Sequence, residues 1–242
     1  IPTLSRGGGV TVRFNSLIFI VGVAVVVSSL CISNSRAAII NVSGTGVDAG
    51  SAAGVDLDNG GAENNMIQGY EELEEVAVGP NLVIVDRLVG DNLNIGDTFQ
   101  GFTNFNAANG RFLPTGLYNS HLIHFDPVGT SGGISGPATF TFKGSIVGII
   151  ISNAGDDKLL NDSDPIFGNA LDYDTAQQRR FDGGGGLDIV TLLEANVLRI
   201  DQAMTGSSHI DNARVLTIPI PEPMSAGLLT LGAAGLAMRR RR

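Results

Sequence analysis

The sequence has no tryptophan, one cysteine, three histidines and few aromatic residues of any kind, 6% in all. A single thiol cannot form an internal disulfide, a Cys-rich zinc module or a Cys-ligated iron–sulfur cluster. Charge is scarce too. Asp, Glu, Lys and Arg make up 16% of the chain, against about 25% in an average soluble domain. Basic residues are the scarcer sign, 15 against 24 acidic for a net charge of −9, which excludes a generic basic nucleic-acid binder. What is plentiful is glycine, 33 of 242 residues, about twice the usual ~7%.

The few basic residues sit at the ends. Arg6, Arg13 and Arg36 lie near the N-terminus, and Arg239, Arg240, Arg241 and Arg242 close the chain. From Ala38 to Ile220 there are eight basic against 23 acidic residues, a net of −15. An acidic middle between two apolar segments with basic edges points to targeting or membrane contact at the ends.

The first apolar segment is Leu17–Leu30, LIFIVGVAVVVSSL, 14 residues without charge after Arg13. It falls short of the ~20 residues a spanning helix needs. Ser35 and Ala37 place small residues three and one positions before Ala38, as a secretory cleavage site requires. Residues 1–37 therefore read as an N-terminal extension and a signal peptide, cut by signal peptidase between Ala37 and Ala38. Cys31 follows Leu30 rather than a small residue, which argues against a lipoprotein signal. Cleavage after Ala37 leaves a mature chain with no thiol, which suits an oxidising exterior.

The second segment is 218–242, IPIPEPMSAGLLTLGAAGLAMRRRR. Ala226–Met238 has 13 residues without charge, and four arginines follow. As a helix it rises only ~20 Å against a hydrocarbon core of ~30 Å, so it suits transient rather than permanent anchoring. The arginine cluster holds the end on the cytoplasmic side. Pro219, Pro221 and Pro223 bar regular helix just ahead and keep that stretch extended. Pro221-Glu222-Pro223, a short apolar helix and a terminal arginine cluster, in that order, resemble the PEP-CTERM sorting signal of diderm bacteria. The resemblance implies recognition of Pro221, Glu222 and Pro223 by exosortase, a membrane protease-transpeptidase. It also implies a transient stay in the inner membrane, with Arg239–Arg242 as the topology stop, and then display at the cell surface or release. Bearers of this signal tend to be associated with extracellular polysaccharide.

Residues 38–217 read as one β-rich mature domain. Short apolar or alternating runs stand between Gly, Asn and Asp clusters. The expected strands are Ala38–Val42, Met66–Tyr70, Leu82–Val85, His121–Asp126, Ala138–Phe142, Ser145–Ser152, Val197–Ile200 and Arg214–Ile218. Phe140 and Phe142 alternate with Thr139, Thr141 and Lys143, a half-buried period of two. Gly144 then predicts a hairpin joining this strand to the next. Asp188–Ala195 and Ile166–Leu171 are the stretches with room for a turn or two of helix. The fold class expected is mainly β, an antiparallel sandwich or jelly roll, with a signal helix before it and a short transmembrane helix after it. Three elements are similar to an uncharacterised group of exported β-rich domains that carry the same sorting signal and have no known activity. They are Gln68-Gly69-Tyr70-Glu71-Glu72, the Ser120-His121 to Phe125-Asp126-Pro127 strand with the Phe142–Ile150 segment, and Ser163-Asp164.

Candidate chemistry is sparse. His121 and His124 lie three apart in a strand and so face opposite sides, which argues against a shared metal ion. His124 and Asp126 share a face, and His209 is the remaining histidine. Calcium is the better ion. Asp156, Asp157, Asp162 and Asp164, with Asp172 and Asp174, crowd hard oxygen ligands into one acidic stretch. Asp56-x-Asp58-x-Gly60 begins like an EF-hand loop but carries Ile67 at the twelfth position, so that pattern fails. Gly183–Gly186 lacks the Lys of a phosphate loop and reads as a flexible turn. Glu71, Glu72, Glu74 and Glu75 read as a solvated strand edge. No nucleophile elbow occurs.

The function expected is that of an exported, exosortase-sorted surface or matrix protein, non-enzymatic and structural or adhesive, linked to exopolysaccharide and with no nucleic-acid partner. The alternatives are a carbohydrate-binding module, disfavoured by the missing tryptophan, a calcium-binding adhesion domain, and less favoured again a secreted hydrolase.

Overall fold

The computed structural model describes residues 38–57, 63, 65–100, 110–128, 133–151, 158–173, 179, 181, 188–204 and 210–220. All of them belong to one compact unit, Arg36–Pro221. The signal-peptide residues through Ala37, the sorting signal Pro221–Pro223 and Arg239–Arg242 lie outside them, as do Asp156, Asp157 and Gly183–Gly186. Among the described residues no helix is long and apolar enough to cross a membrane.

The unit is mainly β and its sheets are largely antiparallel. In chain order the strands are β1 (Ile39–Gly44), β2 (Gly46–Ser51), β3 (Asp56–Leu57), β4 (Ile67–Glu71), β5 (Val76–Val78), β6 (Ile84–Val85), β7 (Arg87–Leu88) and β8 (Thr98–Gln100). Then come β9 (Arg111–Phe112), β10 (Gly116–Phe125), β11 (Gly133–Phe142), β12 (Ile146–Ile151), the helix α1 (Lys158–Phe167), β13 (Asp172–Tyr173), β14 (Ile189–Glu194), β15 (Val197–Met204) and β16 (Asp211–Thr217). A five-stranded sheet runs β1-β11-β15-β14-β8. A seven-stranded sheet runs β2-β4-β10-β16-β12-β7, with β5 also paired to β10.

Period-two patterning explains how the sheets meet. Phe140 and Phe142 of β11, Val190 and Leu192 of β14, and Leu198 and Ile200 of β15 turn one way. They join Ile123 and Phe125 of β10, Ile149 and Ile151 of β12, and Ala213 and Val215 of β16 in one buried layer between the sheets. The other face of the seven-stranded sheet is apolar as well. Ile150 and Leu216 pack there against Leu159, Leu160 and Phe167 of α1. A strand buried on both faces reads as a continuous apolar run, which is why Ile146–Ile151 shows no alternation.

β1 and β2 are one continuous extended segment that passes from one sheet to the other. Gly44 sits at the corner with φ +78°, in the left-handed region that glycine enters without penalty, and a side chain there would collide with the Pro137 carbonyl. Thr45 bridges the sheets, donating its N–H to Pro137 O (3.1 Å) and accepting from Ile67 N (3.0 Å).

Three expectations are corrected. The Phe142–Ile146 turn does not close a hairpin. β11 pairs with β1 and β15, whereas β12 pairs with β16 and β7, so the chain crosses between sheets at Gly144. The crossing is held by Lys143 N to Ala38 O (2.8 Å) and by Ile218 N to Ser145 O (2.9 Å). Asp188–Ala195 holds strand β14 rather than helix, because pairing with β15 and β8 satisfies its backbone and buries Val190 and Leu192. Helix appears instead at Lys158–Phe167, within the acidic stretch, and of the expected helical turn at Ile166–Leu171 it takes in only Ile166 and Phe167. Leu160, Ser163, Asp164 and Phe167 share a helical face, and that stripe, not the polar composition, decides the local structure.

A Cβ at residue 144 would meet the Ile218 backbone carbonyl, whereas one at residue 79 meets nothing within 4 Å. Gly144→Ala is expected to lower unfolding free energy by about 2 kcal/mol and Gly79→Ala to change it little, as read from urea midpoints.

Candidate functional site

The face of the seven-stranded sheet under α1 carries a closed polar network. Register builds it. Tyr70, Leu122 and Arg214 form one row across β4, β10 and β16. Ser120 and Glu72 lie two residues along the same face, and Glu72 N donates to Ser120 O (3.0 Å). The helix stripe supplies Leu160 O, Ser163 and Asp164 from above.

Arg214, with no exposed side-chain surface, is the hub. Its Nε donates to Glu72 Oε2 (2.7 Å) and its Nη2 to Glu72 Oε1 (2.6 Å), a two-pronged fork. Nη2 also donates to Asp164 Oδ1 (2.8 Å), and Nη1 donates to Ser163 Oγ and to Leu160 O (3.4 Å). Glu72 is filled from other sides too. Tyr173 Oη donates to Oε1 (2.6 Å), Ser120 Oγ to Oε2 (2.6 Å), and Asn169 Nδ2 to its main-chain carbonyl (2.5 Å). Asp164 Oδ2 accepts from Arg179 Nη1 (2.5 Å), which also donates to Asn161 Oδ1 (3.3 Å). The Tyr173 ring lies under both guanidinium groups, 5.0 Å from Arg179 and 5.8 Å from Arg214.

Two guanidinium groups thus face two carboxylates. Burial alone would push the Glu72 carboxyl up, but the Arg214 charge and the hydrogen bonds from Arg214, Ser120 and Tyr173 hold it below its ordinary value. Burial likewise works against the Arg214 charge, and Glu72 overrides it, raising the guanidinium above its usual range. Tyr173 is pushed up by burial and by Glu72. A carboxylate offers about four acceptor sites, and four donors from within the fold occupy those of Glu72. The arrangement fastens the helix and β13 to the sheet, and it leaves Glu72 no acceptor site for a substrate's proton.

The reading of Glu71, Glu72, Glu74 and Glu75 as a solvated edge is therefore corrected at Glu72, which is 6% exposed. Its carboxylate is drawn inside by Arg214. Glu72, Ser163 and Asp164 touch the hub directly, and Ser120 reaches it through Glu72. Arg214, Arg179 and Tyr173 were not foreseen. The available signal was Arg214 itself, a charge set in the apolar run Ala213–Ile218.

Of the four carboxylates proposed for calcium, Asp162 and Asp164 lie on α1. Both Asp164 oxygens accept from arginine, one bond each, so two guanidinium charges already stand beside this carboxylate and disfavour a cation there. Asp162 borders a small hollow with Leu82, Val83, Ile84, Leu159 and Ser163. Among the described residues no group of three or more His, Cys, Asp or Glu is placed to hold a metal ion.

His121 and His124 point to opposite faces of β10. His121 is 4.8 Å from the Phe142 ring and its Nε2 lies 3.2 Å from Thr217 Oγ1. His124 sits edge-on to Tyr70 and its Nδ1 donates to Asn212 Oδ1 (2.9 Å). Burial pushes both imidazoles down to about 4. The tyrosines form no exposed row, since Tyr70 and Tyr118 are buried and give their hydroxyls to Gln68 Oε1 (2.8 Å) and Pro114 O (2.7 Å).

Compared with known proteins, the chain matches no family model, no curated protein and no solved structure.

Arg214→Met strands Glu72 and Asp164 and is expected to cost about 3–5 kcal/mol in urea denaturation, with the double variant Glu72→Gln, Arg214→Met recovering part of that. The histidines give a pH signature. Their pKa is lower folded than unfolded, so the unfolded chain takes up protons first as pH falls. Stability is full above about pH 6.5, is lost between 6.5 and 4 by roughly 3 kcal/mol per histidine, and stops falling on their account below 4. His121→Gln and His124→Gln should each flatten that slope in melts recorded from pH 7 to 4.

Proposed function

We propose that this chain is an exported protein, trimmed by signal peptidase at the N-terminus and sorted by exosortase at the C-terminus. On this reading its domain is a β-sandwich with a structural or adhesive role at the cell surface or in an exopolysaccharide matrix. The observation that carries the reading is the order of parts at the C-terminal end. Pro221-Glu222-Pro223 precedes 15 uncharged residues, Met224–Met238, and four arginines follow.

Features of the domain support it. The last strand, β16, is buried along its whole length through Thr217. The next residues are open, with Ile218 and Ile220 about half exposed. A processing enzyme thus has a few accessible residues between the sheet and Pro221. The carboxylates of Glu72 and Asp164 are tied to arginines, which favours a fastening role for them over acid–base chemistry.

Mass spectrometry of the protein purified from its native cells tests the scheme. The expected termini are Ala38 and a residue near Pro221. Recovery of the intact chain, tail included, from the soluble cytosolic fraction overturns it.

A further inference from the structure

The two sheets present different outer faces. That of the seven-stranded sheet lies under α1. That of the five-stranded sheet is open, and a single row of side chains crosses all five of its strands. Ser43 of β1 pairs with Thr139 of β11, Thr139 with Arg199 of β15, Arg199 with Thr191 of β14, and Thr191 with Thr98 of β8. Each alternates with a residue of the buried layer, so the row points outward. Ser43, Thr98 and Arg199 are exposed, and Thr139 and Thr191 are half-buried between their neighbours. At a strand spacing of about 4.8 Å, the row extends roughly 19 Å.

Four hydroxyls flank one guanidinium. The hydroxyl oxygens of Thr98 and Thr191 already lie 3.0 Å apart, and Arg199 Nε is 3.4 Å from Asp201 Oδ2 on the same face. Hydroxyls both donate and accept, as the hydroxyls of a sugar do, and the planar fork of an arginine can grip two neighbouring oxygens at once. The spacing between strands is close to the length of one pyranose ring.

Charge selects among polymers. No carboxylate stands in the row, and Arg199 is balanced by Asp201, whereas the domain as a whole has eight basic against 23 acidic residues from Ala38 to Ile220. A polyanion is repelled by that field, and a polycation is drawn to the acidic remainder rather than to this row. An uncharged polyol suits a near-neutral, hydroxyl-lined face.

We infer that the row Ser43–Thr139–Arg199–Thr191–Thr98 is a docking track for a neutral polysaccharide chain laid across the strands. The inference rests on the surface-protein reading for where that glycan comes from, and adds the partner and the residues that meet it. No aromatic residue lies in the row, so affinity per domain is weak, with a dissociation constant on the order of 1 mM. Retention comes from many copies bound along one polymer.

The test uses the purified full chain and insoluble cellulose and amylose as neutral glycans, with alginate as the polyanion. Wild type is expected to be retained on at least one neutral glucan and not on alginate. The double variant Thr139→Val, Thr191→Val keeps side-chain shape and β-branching but removes two hydroxyls; its retained fraction should fall at least fivefold with an unchanged thermal midpoint. Arg199→Gln should weaken retention to a similar extent, and Ser51→Ala, on β2, should not. The inference is overturned if neither glucan retains wild type, if the double variant binds like wild type, or if alginate is preferred. None of these readouts depends on C-terminal processing, so a failed sorting scheme and a failed docking track give different results.

Discussion

The fork between Arg214 and Glu72 is the contact on which the arrangement of the domain turns. Around the network the α1-facing side of the seven-stranded sheet is apolar, with Ile150 and Leu216 under the helix, and a helix can slide along such side chains with little change in buried area. Taking two arginines and two carboxylates out of water is costly, and only one position of α1 brings Asp164 and Ser163 onto Arg214. We read the network as the element that gives the helix a single place. Tyr173 and Asn169 extend the same logic to the chain beyond α1, because both close on Glu72. Three segments far apart in sequence are thereby fixed relative to β16 with no disulfide, in a chain whose single cysteine lies ahead of the domain.

The consequence for chemistry is restrictive. Carboxylates held by guanidinium groups, and histidines kept neutral by burial, are not poised to exchange protons with a solute. Among the described residues, the polar groups open to solvent include hydroxyls, acids and the arginines Arg111 and Arg199 on sheet surfaces and turns. Exposed polar groups of this kind recognise a partner by several weak contacts spread over a face.

Much of the fold was legible because alternation is a local signal. Phe140 and Phe142 announce which way β11 faces, and β-branched runs between glycines mark β10, β12 and β16. The failures have a common cause, which is that neighbours far away in sequence decide between local alternatives. Lys143-Gly144-Ser145 looks like a hairpin turn, yet Ala38 and Ile218 supply the partners that send the chain across to the other sheet. Ile189–Glu194 has enough Leu to pass for helix until β8 and β15 flank it. Asp162-Ser163-Asp164-Pro165 reads as loop by composition, but Leu160 and Phe167 give it a face to bury. Glu72 looked solvated because its partner stands 142 residues downstream. For the candidate site, Glu72, Ser120, Ser163 and Asp164 stood out in the sequence as short polar elements, but nothing local disclosed that they meet or that an arginine joins them.

The place of β16 has a temporal meaning. Among the described residues it is the last strand, and it lies between β10 and β12, which do not pair with each other. A polypeptide that emerges N-terminus first from a ribosome leaves those two strands without their shared partner until β16 has appeared. The sheet cannot close early, and neither can the charged clasp that Arg214 completes. Closure of this sheet waits on the seven residues Asp211–Thr217, which lock their two neighbours in a single step.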